Sequence, residues 1–169
     1  HFAGAGVEND LGRDTAVAAA DDHDLRLLAR SSQFFKPALF GQKTAIQKGY
    51  NACIISGGTN EGVRERLRGL GVTDIYMGAH HKEEPLLEYL DIYGIKPDNV
   101  LYMGDDLPDI PPMLKVAMPT APQNAVPEVK AVSKYVSHKN GGDGCVRDVI
   151  EQVMKVRGDW YGNFDAQND

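Results

Sequence analysis

From Thr44 onward, short apolar runs alternate with longer stretches whose apolar residues recur every three or four positions. The runs "NACIIS" (51–56), "DIYMG" (74–78) and "NVLYMG" (99–104) end on serine or glycine, and predict strands. Between them, "EGVRERLRGLG" places Val63, Leu67 and Leu70 on one helical face, with Gly71 just past its end. "KEEPLLEYLDIYG" predicts a second helix, with Pro85 tolerable in its first turn. Upstream, "TAIQKGY" closes a helix on Gly49; downstream, "PDIPPMLKVA" predicts a short helical piece and "MPTAP" a short strand or turn. "AVPEVKAVSKY" then reads as a helix, "YVSHK" as a short strand and "GCVRDVIEQVMKVRG" as the last helix.

Strands and helices alternating at this spacing define an α/β fold: a Rossmann-like, mostly parallel sheet with helices on both faces. Ligands of such sheets bind outside the carboxyl ends of the strands. Here those ends read Ser56-Gly57-Gly58, Met77-Gly78 and Gly104-Asp105-Asp106. Residues 1–43 are rich in Ala, Gly and Asp; no strand is expected there, only a helix around Leu25 to Arg30. The expected organisation is therefore an N-terminal segment (1–43), an α/β domain (44–160) and a polar tail (161–169).

Composition narrows the partners. The chain has 169 residues, enough for one substantial core, and a net charge of −6. That charge argues against nucleic-acid or membrane-surface binding, which needs a basic excess, but leaves a small anionic substrate open. Cys53 lies in an apolar run far from Cys145, with no CxxC spacing, so neither a disulfide framework nor a zinc site is expected and the cytoplasm is the expected compartment. No stretch resembles a membrane span or a signal peptide.

The strand ends carry the candidate chemistry. Asp105, Asp106 and Asp109 crowd carboxylates at one strand tip, which costs electrostatic free energy unless a cation or several hydrogen bonds compensate. Two readings are open: an Mg²⁺ site with Asp105 as ligand and Asp106 and Asp109 orienting waters or a lysine, or an acidic turn with a helix N-cap. Ser56 with Gly57 and Gly58 offers either an anion cradle or an ordinary capped turn. Lys82 opens a helix against its dipole, as an anion-binding cation or as a solvated side chain. His80 and His81 read as exposed loop residues. Arg64, Arg66 and Arg68 read as helix charges pairing with Glu61 and Glu65, one of them being free to meet a substrate carboxylate.

Ser, Lys and Asp-Asp at the ends of successive strands resemble the second, third and fourth motifs of the haloacid dehalogenase superfamily of phosphohydrolases. The segments "GYNACIISGG", "EGVRERLRGLGVTDIYMG", "LYMGDDLPD", "VPEVKAVSKYVS" and "GGDGCVRDVIEQV" are similar to the 3-deoxy-D-manno-octulosonate 8-phosphate (KDO 8-phosphate) phosphatase group, from about Thr44 to Trp160. The resemblance implies a homotetramer without a large cap domain, with the "GGDG" segment and the tail closing over a neighbour's site. It implies phosphate contacts from Ser56, Gly57 and Lys82, with Lys82 also orienting the nucleophile. It further implies Mg²⁺ on Asp105 with Asp106 and Asp109 in support, and a phosphorylated sugar acid as substrate.

The family's first motif, a hydrophobic strand followed by Asp-x-Asp-Gly that supplies the nucleophile, is expected near residue 12, where "NDLGRDTAV" stands instead. Asp22-His23-Asp24, after "AVAAA", has the Asp-x-Asp spacing without the glycine, which makes Asp22 and Asp24 the nucleophile and acid/base candidates. The expected function is Mg²⁺-dependent hydrolysis of KDO 8-phosphate. The alternative is a catalytically impaired relative that binds phosphate esters or assembles with an active subunit.

Overall fold

The computed structural model describes residues 16–20 and 43–160. Six strands form one sheet: β1 (Ala16–Ala20), β2 (Asn51–Ile55), β3 (Asp74–Tyr76), β4 (Val100–Gly104), β5 (Met118–Ala121) and β6 (Tyr135–Val136). Their order is β3-β2-β1-β4-β5-β6, and every pairing is parallel. The chain winds outward from the centre in both directions, so the order reverses between β1 and β4, where α/β sheets open a ligand crevice.

One expectation is overturned here. The Ala-rich stretch "AVAAA" is a strand, at the centre of the sheet, and not part of a strandless segment. Its register pairs Val17 with Ala52 and Leu101, and Ala20 with Gly104. Alanine has low strand propensity, but hydrogen-bonded neighbours on both sides outweigh that preference. The sheet thus draws on the region 1–43. The helix expected around Leu25 to Arg30 lies outside the described residues.

The remaining predicted elements form close to where the apolar pattern put them: α1 (Glu61–Gly69), α2 (Glu83–Tyr93), α3 (Ile110–Met113), α4 (Pro127–Val132) and α5 (Cys145–Arg157). Residues 43–47 are also helical, and Gly49 follows at φ +86° as the expected stop. Successive residues of a strand point to opposite faces, and both faces here are covered. Val100, Tyr102, Cys53 and Ile55 pack with Leu86, Tyr89 and Leu90 of α2, Met113 of α3 and Val129 of α4. On the other face, Leu101 and Met103 meet Cys145, Val149 and Met154 of α5, while Ile54 meets Val63 and Leu67 of α1. No separate cap domain interrupts the connections from β2 to β6. No helix among the described residues is long and apolar enough to cross a membrane.

Candidate active site

The carboxyl end of β4 is shaped around one buried carboxylate. Asp109 is fully buried, and its Oδ1 accepts from Lys82 Nζ at 2.9 Å and from the Tyr102 hydroxyl at 3.0 Å. Its Oδ2 accepts from the backbone N–H groups of Asp105 (3.1 Å) and Asp106 (3.3 Å). Four donors fill the lone-pair positions a carboxylate offers, so Asp109 has none left for a metal ion. It holds the lysine and the turn. Gly104 makes room for it: a Cβ there would lie 2.3 Å from Asp109 Cβ and 2.9 Å from Met113 Sδ.

The backbone of Asp105 is fixed from both sides. Its N–H is tied to Asp109, and its carbonyl accepts from Val126 N–H at 3.1 Å, which ties β4's end to the approach of α4. Asp105 is half-buried at the carboxyl end of β4. Asp106 is exposed and takes the capping role: its Oδ1 accepts from Leu107 N–H at 2.8 Å, and it shares a reciprocal capping box with Asp109. Of the two readings open for the aspartates, the helix cap describes Asp106; Asp105 is the residue that directly follows β4.

The β2 and β3 ends are stitched together next to it. Buried Ser56 donates its N–H to Tyr76 O at 2.8 Å and accepts from Ala79 N–H at 2.9 Å, while Gly78 N–H donates to Gly58 O at 2.9 Å. The Ser56 hydroxyl accepts from Gly58 N–H at 3.0 Å, which curls the loop around Gly57. Gly78 sits at φ +72°, where a side chain is strained, and turns the chain so that Lys82 arrives at the N-cap of α2. Lys82 is only 6% exposed. A buried ammonium facing a helix N-terminus is doubly disfavoured, by desolvation and by the dipole. The Asp109 partner at 2.9 Å compensates both. Lys82 is therefore a built feature of the site and not a solvated surface residue.

Tyr102 was hidden from the sequence because it occupies one position of an otherwise apolar strand run. The signal that exposes it is chemical: a fully buried tyrosine needs a partner for its hydroxyl, and an acid lies seven residues on. Burial first, and then the charge of Asp109, hold the Tyr102 proton well above the ordinary phenol range.

His80 and His81 are exposed, as expected. Arg64 Nε lies 3.3 Å from Glu61 Oε2 without hydrogen-bond geometry, an ion pair of the kind the helix spacing predicted. Asp22 and Asp24 lie outside the described residues; they follow Ala20, whose register partner Gly104 directly precedes Asp105.

A parallel sheet wound 3-2-1-4-5-6, with a serine loop, a buried lysine and an aspartate at its crevice end, has the form of a phosphohydrolase of the haloacid dehalogenase type. The sequence profile of the haloacid dehalogenase-like hydrolases matches residues 43–149, and the chain belongs to that family. It is 34% identical over 119 residues to the 3-deoxy-D-manno-octulosonate 8-phosphate phosphatase KdsC of Salmonella typhi, covering 70% of this chain and 63% of that protein. The chain thus spans less than two thirds of the length of the curated relatives it matches. A solved structure from Vibrio cholerae superposes with a TM-score of 0.79 at 27% identity, covering 87% of each chain. The Moraxella catarrhalis 3-deoxy-D-manno-octulosonate 8-phosphate phosphatase, solved with magnesium, phosphate and KDO, gives a TM-score of 0.77 at 25% identity, covering 88% of this chain and 90% of that one.

Proposed function

We propose that this chain is an Mg²⁺-dependent phosphatase that hydrolyses KDO 8-phosphate to KDO and phosphate. The observation that carries the reading is the buried Lys82–Asp109 pair beside Asp105, at the point where the strand order reverses. Phosphoryl transfer asks for positioned positive charge and little covalent machinery, which suits a lysine clamped by its own carboxylate.

In this reading Ser56 and the backbone around Gly57 hold the phosphoryl oxygens, and Lys82 neutralises them and orients the nucleophile. The Asp22 carboxylate attacks phosphorus as the bond to the sugar oxygen breaks, and Asp24 gives that oxygen its proton. Water then attacks the aspartyl phosphate, losing a proton to Asp24 and releasing phosphate and a free Asp22 carboxylate. Support for these two assignments comes from the register of β1, which brings the chain to the β4 end immediately before them.

The donor set fits magnesium. Among the described residues no three His, Cys, Asp or Glu side chains cluster to enclose a metal ion. Mg²⁺ needs no such cage, because it keeps several waters and takes one or two carboxylates plus substrate phosphate. Asp105 would hold it, with Asp109 fixing the Asp105 backbone and Asp106 capping the turn. When bound, the ion supplies charge neutralisation to the phosphoryl oxygens.

The same reading takes the protein as a cytoplasmic homotetramer, in keeping with the family resemblance. Exposed Leu107 and Leu114, which follow the site turn closely, offer apolar surface of the kind subunits cover.

The reading is tested by phosphate release from a panel of sugar-acid phosphates, with Mg²⁺ and with chelator. Mg²⁺-dependent release highest for KDO 8-phosphate supports it. Release from none of them, by folded protein, leaves the alternative of a phosphate-ester-binding relative. The observation favouring that alternative is the absence of a glycine after Asp22-His23-Asp24.

A further inference from the structure

We infer that Tyr102 is a positioning residue of this site: its hydroxyl fixes the Asp109 carboxylate that in turn fixes Lys82. The inference rests on the phosphatase reading for its consequence in turnover, and on geometry alone for the coupling itself. Lys82 Nζ and the Tyr102 hydroxyl meet the same oxygen, Asp109 Oδ1, at 2.9 and 3.0 Å. Tyr102 and Asp109 are both fully buried and Lys82 nearly so, so no bulk water stands ready to replace a lost donor.

The arrangement is a small rigid lever. Oδ2 is held by two backbone N–H groups, whereas Oδ1 is held by the Lys82 and Tyr102 side chains. The ammonium group of Lys82 ends a flexible four-carbon stem and cannot itself supply rigidity. The phenol can. It stands on the central strand β4, with its ring in the core against α2, α3 and α4. Its backbone carbonyl is further fixed by the Thr120 hydroxyl at 3.0 Å, across the β4–β5 pairing. The hydroxyl also takes up part of the carboxylate's accepting capacity, leaving the lysine's other N–H bonds to point at a phosphoryl group. Sheet, phenol, carboxylate and ammonium form one chain of contacts from the core to the crevice.

Tyr102→Phe removes the hydroxyl and keeps the ring, so the fold is retained while the lever loses its link. The first readout needs no substrate. Acetylation of the folded protein by an amine-reactive ester is followed by mass spectrometry of the peptide that holds Lys82. Labelling at Lys82 is expected to rise several-fold in Tyr102→Phe, with all other lysines unchanged. The second readout is turnover: kcat is expected to fall on the order of tenfold, as for loss of one hydrogen bond to a charged group, with KM and the Mg²⁺ requirement little altered. Unchanged labelling at Lys82 overturns the inference. So does a uniform rise across all lysines, which would reduce Tyr102 to core packing. Unchanged kcat in a protein whose wild type turns over also overturns it. A wild type without turnover defeats the phosphatase reading, and the labelling still decides whether Tyr102 positions Lys82.

Discussion

Lys82 Nζ lies 2.9 Å from Asp109 Oδ1, 27 residues away in sequence, with the two side chains 6% and 0% exposed. Removing one partner of a buried pair leaves the other charge stranded, and the two removals are not equivalent. Asp109→Ala leaves the buried ammonium without its carboxylate and frees two turn amides. Its cost is expected to be about 3 kcal/mol or more, a fall of roughly 10 °C in Tm. Lys82→Met leaves Asp109 with the Tyr102 hydroxyl and two N–H donors. That variant should unfold at a distinctly higher temperature than Asp109→Ala while losing turnover as completely. Thermal unfolding of the two variants side by side checks the order; equal Tm values would contradict it.

Gly104→Ala tests the space beneath the turn. The added Cβ would meet Asp109 Cβ at 2.3 Å and Met113 Sδ at 2.9 Å. Overpacking of this kind costs about 1–3 kcal/mol, and here the displaced group is the carboxylate that holds Lys82. Turnover should fall by about 100-fold or more, as for loss of a preorganised charge-stabilising contact. Gly94→Ala, at φ +64° with nothing within 4 Å of the new Cβ, should cost stability only. Denaturant unfolding and turnover of both variants separate crowding at the site from backbone strain elsewhere.

The segment after β1 is the most direct test of the nucleophile. Asp22→Asn should abolish phosphate release, and Asp24→Asn should slow it by about 100-fold or more, as expected for loss of a general acid. Undiminished release by Asp22→Asn would move the nucleophile to another residue of the region 1–43.

Alkaline pH should weaken the fold before neutral pH does. Burial, followed by the hydrogen bond and charge of Asp148, pushes the Tyr135 phenol up to about 12. Burial, followed by nearby acidic groups, also pushes Tyr76 up to about 12. A raised folded-state pKa means that the unfolded chain releases its proton first, near pH 10 for a free phenol. The stabilisation is therefore complete below pH 10 and is lost progressively between about 10 and 12, because the unfolded state binds fewer protons there. Urea unfolding at pH 9, 10 and 11 should show a falling midpoint. Absorbance titration at the phenolate band should show these tyrosines ionising late. A flat midpoint over that range would contradict the prediction.

Much of this was legible in the sequence, and the residues show why the rest was not. "CII" and "LYM" announce buried strands because branched and aromatic residues suit a sheet covered on both faces. Gly49 and Gly71 mark helix ends through a backbone conformation that favours glycine, at φ +86° and +87°. "AVAAA" announced nothing, since its place in the sheet comes from β2 and β4, whose register partners lie 35 and 84 residues later. Ser56, Lys82 and Asp105 could be read from their positions at strand ends. What each does could not, because the Lys82–Asp109–Tyr102 contacts join three elements whose approach only the fold sets. The aspartate triplet in "GDDLPD" shows the limit most clearly. One composition covers three settings: Asp105 half-buried with its backbone N–H tied to Asp109, Asp106 capping, and Asp109 buried on a lysine.

The measurement that bears most directly on the central claim is an Mg²⁺ titration of phosphate release from KDO 8-phosphate, run on this chain and on Asp105→Asn. The account predicts saturable, chelator-sensitive release by the wild type and a loss of on the order of 1,000-fold in the variant, the scale of removing a charge-stabilising catalytic group. Equal release by both proteins, or release indifferent to Mg²⁺, would contradict it.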